Sequence, residues 1–87
     1  MPDGASPYHY KPAVLTELAR HGVCPTPHTS PQLVRDYVRD LYKYEIRRLR
    51  ERYLAREFPK LEYSQRVDQL RRQYPVLALL PREFVEP

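Results

Sequence analysis

The sequence is short of nearly everything that marks a catalytic or membrane-spanning chain. Its 87 residues include one cysteine, two glycines, one methionine and no tryptophan. A single cysteine excludes an internal disulfide, and a disulfide-stapled secreted fold with it, so a reducing, cytoplasmic setting is expected. Gly4 and Gly22, far apart, form no glycine-rich loop to cradle a phosphate. No apolar run approaches the roughly 20 residues that a membrane span needs, and no membrane partner is expected. The N-terminal MPDGASPYHYK has no basic start followed by an apolar run and is poor in arginine. Neither a secretory signal nor a mitochondrial presequence is expected from it. No pair of carboxylates stands apart from basic residues as an acid–base couple. No cofactor is implied, and the chain is not expected to be an enzyme. Function has to be read from surfaces.

What is present is charge, tyrosine and proline. The net charge is +4 with a pI near 9.4, which permits nucleic acid, an anionic membrane or an acidic protein as partner and selects none of them. A chain this short buries only about 60–65% of the surface that its unfolded form exposes, so its core is thin. The ten prolines cluster up to Pro31, at Pro59, and from Pro75 onward. Between them lie segments with helical apolar spacing.

The pattern predicts an all-α fold: a short helix, a proline-rich strut, then an antiparallel helical hairpin, with extended N- and C-terminal tails. Residues 1–11 read as a flexible tail whose Tyr8-His9-Tyr10 cluster is its one adhesive part. Residues 12–74 form the helical domain. Its first helix, 12–21, starts on Pro12, whose missing N–H costs nothing in a first turn. Gly22 stops it, and Val14, Leu15 and Leu18 supply a small apolar face. Pro25 and Pro27 stiffen the connection to the second helix.

The second helix, 31–58, organises the rest. Ser30 suits the N-cap and Pro31 the first helical position. Its apolar residues cover a wide arc in the first half, which calls for more than one neighbour, and narrow to a stripe in the second. After Pro59 the pattern resumes through Tyr63, Val67, Leu70 and Tyr74, one face of a third helix over 60–74. The short turn makes the two antiparallel. Residues 75–87 are unusually apolar for a terminus. Left in water they would aggregate, so they either fold back on the hairpin or dock on another chain.

Partner-binding candidates are Tyr37, Leu41 and Tyr44 on the long helix, with Val76, Leu77, Leu79, Leu80 and Phe84 in the tail. Leu79, Leu80 and Phe84 are the expected anchors. Tyrosine and arginine, interleaved here, are the residue types enriched in binding hot spots. The expected function is a non-catalytic accessory subunit or adaptor that clasps a larger protein. A second copy of the chain is an alternative occupant, forming a hairpin homodimer.

Nucleic-acid binding is the other alternative. Arg35, Arg39, Lys43 and Arg47 form one basic ridge, and Arg48, Arg52 and Arg56 a second, which could follow phosphates. Against this, most of these cations have an acidic residue one helical turn away, as in Asp36–Arg39, Asp40–Lys43, Glu45–Arg48 and Arg47–Glu51. His21, Cys24 and His28 have residue types that bind zinc. Only three ligands are present and two prolines stiffen the loop, so no metal is assigned. Finally, Leu41-Tyr42-Lys43 in a basic helix, with Phe58 downstream, resembles the Leu-Tyr-Arg signature of small mitochondrial three-helix adaptor proteins. Here lysine stands third and the triplet lies in mid-helix. The resemblance covers three residues and a composition, and it implies only that small basic helical proteins serve as adaptors.

Overall fold

A computed structural model describes residues 7–87. Three α-helices follow one another: α1, Pro12–Ala19; α2, Pro31–Leu54; and α3, Lys60–Arg72. Two single-turn 3-10 helices, Pro75–Ala78 and Pro81–Phe84, complete the chain. The molecule is fundamentally all-α and elongated, 55 × 21 × 18 Å, because α2 is its spine. Among the described residues no helix is long and apolar enough to cross a membrane.

Local chemistry explains the boundaries. The Ser30 hydroxyl accepts from the Leu33 amide, 3.1 Å away, and Pro31 opens α2 as expected. Gly22 sits at φ +74°, its amide donating to Ala19 O, while the Val23 amide donates to Leu18 O. This is the paired closure of a Schellman motif, with glycine at its left-handed position.

The C-terminus of α2 uses the same motif with an unexpected residue. The Arg56 amide donates to Tyr53 O, the Glu57 amide donates to Arg52 O, and Arg56 takes φ +62°. The helix therefore ends at Leu54 and not at residue 58. The Arg52–Glu57 ion pair, 2.9 Å, spans the reversal where an apolar contact is more usual. A left-handed arginine costs roughly 1–2 kcal/mol and glycine avoids that cost. Arg56→Gly is expected to stabilise the fold by about 0.5–1 kcal/mol in a denaturant titration. Gly22→Ala should destabilise it by about 1 kcal/mol. A Cβ at position 22 meets nothing within 4 Å, so that loss is conformational and not steric.

The hairpin forms as predicted, with α3 against α2. Its far end is held by aromatic stacking: Tyr53 lies 4.5 Å from Tyr63, and the Arg66 and Arg52 guanidinium carbons lie 4.6 and 5.4 Å from the Phe58 ring centre. α3 ends at Arg72, two residues short of the predicted 74, because Tyr74 precedes Pro75 and leaves the helical region at φ −123°, ψ 52°.

The main core lies at the opposite end. Val14 and Leu18 of α1, Val34 and Val38 of α2, and Tyr74, Val76 and Phe84 of the C-terminal segment make one buried cluster. The wide arc on α2 is thus covered partly by the C-terminal segment, a neighbour additional to α1 and α3. Residues 8–11, which sequence reading assigned to a mobile arm, are tied down; residues 1–6 lie outside the described residues. The Tyr8 amide donates to Pro27 O at 2.7 Å, Lys11 donates to Phe84 O at 2.9 Å, and Glu86 donates to His9 O at 2.7 Å. Tyr10 and Val85 form an isolated antiparallel bridge, and the Tyr10 hydroxyl donates to Thr29 O. The two terminal segments hold each other across the base of the bundle.

Candidate docking surface

The fold divides the predicted partner-binding residues into two groups. Val76 and Phe84 are in the core, Phe84 with no exposed surface. They cannot anchor a partner while this chain is folded, since the tail has taken its own hairpin as partner. Leu77 and Leu79 are half-buried against that core, and Leu80 is the one exposed residue among the five tail candidates. On α2 the outcome is the reverse. Leu33, Tyr37 and Tyr44 are 62%, 56% and 55% exposed. Positions 33, 37, 41 and 44 follow i, i+4, i+8, i+11, so these residues line one edge of α2, with half-buried Leu41 on its inner side. Leu33 was not singled out from sequence, although the spacing marks it.

This edge runs into an open groove between α2 and α3 of about 480 Å³. Leu49 and Leu70 line it along with Tyr44, Arg48, Arg52 and Arg66. The Arg48 guanidinium carbon lies 5.9 Å from the Tyr44 ring centre and its Nη1 donates to the Tyr44 hydroxyl at 3.4 Å. One apolar edge therefore passes into a groove with arginines at its rim.

The basic ridges do not survive as continuous arrays. Arg35 Nε donates to Leu79 O and Nη2 to Leu77 O, both at 3.0 Å. It closes the carbonyl end of the first 3-10 turn and clasps the C-terminal segment to α2. Two charged hydrogen bonds in a planar fork are what arginine supplies and lysine does not. Arg35→Ala is expected to cost about 1.5–2 kcal/mol in thermal or urea unfolding, with Arg35→Lys recovering only part of it. Arg39 pairs with Asp36 at 3.4 Å and approaches Asp40 at 4.0 Å. Arg52 pairs with Glu57. Of the expected one-turn pairs only Asp36–Arg39 is seen within 4.0 Å among the described residues, and Lys43, Arg47, Arg50 and Arg56 have no carboxylate that close.

Glu45 turns away from Arg48 and accepts from the Tyr74 hydroxyl. Tyr74 is buried, stacks on His21 at 4.1 Å and meets Tyr42 edge-on at 5.3 Å. Burial, and then the bond to Glu45, raises the Tyr74 phenol above its ordinary pKa. His21 Nε2 lies 2.6 Å from Gln73 O; a carbonyl only accepts, so Nε2 carries the proton. His21 thereby ties the turn after α1 to the end of α3. Among the described residues no three His, Cys, Asp or Glu side chains converge as a metal site. This histidine–tyrosine–glutamate cluster is the feature that sequence reading missed. Compared with known protein families, curated proteins and solved structures, the chain matches none of them.

Proposed function

We propose that this chain is a small non-catalytic adaptor or accessory subunit that docks on a larger protein through the outer edge of α2. The observation that carries the reading is the line of Leu33, Tyr37 and Tyr44, three large side chains each more than half exposed on one rigid helix. Large contiguous apolar surface rimmed by polar groups marks interaction sites. Tyrosine contributes broad contact area at little entropic cost, and arginines at the groove's rim add polar contacts. A preformed helix edge also spares the partner the cost of ordering this chain. The exposed thiol of Cys24 suits a reducing, cytoplasmic setting.

The test is affinity capture from the native host with the full chain and with a Tyr37→Asp, Tyr44→Asp variant. Recovery of specific proteins is expected to fall about 30-fold or more, as loss of a tyrosine hot spot implies. Both positions are exposed, so the melting curve should be unchanged. Capture should persist as salt is raised, whereas phosphate-backbone binding would fall steeply. Recovery of the same proteins by the variant would sink the reading.

A further inference from the structure

We propose that the α2 edge pairs with α2 of a second copy of this chain, antiparallel, giving a weak homodimer that the larger partner must displace. The inference rests on reading that edge as a docking surface and adds what else occupies it. Beside the Leu33, Tyr37, Leu41, Tyr44 line runs a ridge of charged residues: Asp36, Asp40, Lys43, Arg47 and Arg50, at i, i+4, i+7, i+11 and i+14. The charge along the ridge changes sign near the middle of the helix. Asp36 and Asp40 share a single cation, Arg39. Lys43, Arg47 and Arg50 have no carboxylate within 4.0 Å among the described residues. The ridge is thus an acidic half followed by a basic half.

Such a ridge is complementary to itself only when reversed. The midpoint of Pro31–Leu54 falls between residues 42 and 43. When two copies of α2 are laid antiparallel about that midpoint, Asp40 comes between Lys43 and Arg47 of the second copy, and Asp36 between its Arg47 and Arg50. Each Tyr37 faces Arg48 of the other copy, a cation–π pairing, and Leu41 faces Tyr44. Antiparallel packing puts residues on one flank of a helix against the same flank of its mate, so the two ridges lie together at the rim. A parallel pair would put the two ridges on opposite rims, where they do not meet. Opposed helix dipoles favour the same orientation.

The size of the surface sets the strength. A stable interface buries about 800 Å² on each side. One face of a helix roughly 36 Å long and about 10 Å across supplies about half of that. The dimer is therefore concentration-dependent, and a partner using the same edge competes with it.

Sedimentation equilibrium of the full chain, from about 10 μM to 1 mM, tests this. The expected result is a monomer shifting to dimer across the range. Tyr44→Asp, Asp40→Arg and Arg47→Asp should each hold the chain monomeric at least tenfold further up in concentration. The fully reversed ridge, Asp36→Arg, Asp40→Arg, Lys43→Asp, Arg47→Asp and Arg50→Asp together, should restore dimer, because only the complete reversal is again self-complementary. The substituted side chains project from the outer surface of α2, and circular dichroism of each variant reports the fold. A parent chain that stays monomeric throughout overturns the proposal, as does a dimer indifferent to these substitutions. If the parent is monomeric while Tyr37→Asp, Tyr44→Asp still loses its captured proteins, the dimer falls and the adaptor reading stands. If those substitutions change neither, both fall.

Discussion

Phe84→Ala is expected to cost about 3–5 kcal/mol, the usual loss for truncating a fully buried phenylalanine. The ring has no exposed surface and shares the core with Leu18 and Val38, the other fully buried large side chains. A chain of 87 residues has a total stability on the order of 4–13 kcal/mol. One substitution three residues from the end of the chain thus removes a large share of what holds the fold. In a domain of this size each kcal/mol is worth about 4–8 °C, so the melting temperature should fall by roughly 15–30 °C. Leu80→Ala is the control: Leu80 is 48% exposed, and its loss should stay under about 1 kcal/mol. A Phe84→Ala chain that melts within a few degrees of its parent would show that the C-terminal segment does not pack as described. The same packing decides how binding experiments are built. Deleting residues 75–87 removes core, so lost binding on truncation would report unfolding and not a missing contact.

How far the sequence reveals this arrangement depends on whether a feature is local. Ser30, Pro31 and Gly22 mark helix ends through their own hydroxyl, ring and missing Cβ, and each stands where those properties require. The hairpin follows from apolar spacing on both sides of Pro59. The end of α2 was not legible, because Arg56 takes the left-handed conformation that a reader expects only of glycine. The destination of the apolar tail was not legible either. Its composition requires burial somewhere, but whether Phe84 meets Leu18 or another chain is settled by contacts between residues far apart in sequence. Arg35 is the sharpest case. From sequence it is one cation in a ridge; in the fold its guanidinium holds two carbonyls more than forty positions away. The docking edge lies between these extremes. Tyr37, Leu41 and Tyr44 were visible as part of an arc too wide for one neighbour. That the uncovered part is the Leu33–Tyr37–Tyr44 line depends on where the tail lies.

Stability is expected to fall steeply above pH 10, and Tyr74 should account for much of the slope. Its phenol is buried and donates to the Glu45 carboxylate, so a phenolate there would lose its solvation and face a second negative charge. Both effects raise its pKa above the ordinary value near 10, burial more than the carboxylate. In the unfolded chain the same phenol releases its proton at about pH 10. Below that pH both states hold the proton and the contribution of Tyr74 is complete. Above it the unfolded state is favoured by deprotonation and the folded state is not. Each further pH unit then removes about 1.4 kcal/mol until the folded phenol also titrates. Between pH 10 and 12 Tyr74 alone is expected to remove on the order of 2 kcal/mol. Tyr10, raised by burial and then by neighbouring Tyr8, works in the same direction. Urea midpoints from pH 7 to 12 measure the slope, and Tyr74→Phe isolates it. That variant keeps the ring between His21 and Tyr42 and returns the exposed Glu45 to water, at a cost near pH 7 of about 1 kcal/mol. Above pH 10 its slope should be shallower than the parent's by about 1.4 kcal/mol per unit, while lysine titration affects both chains alike. If the two chains lose stability in parallel, the phenol is not held in its neutral form, and the junction of α1, α2 and α3 does not rest on the Tyr74–Glu45 bond.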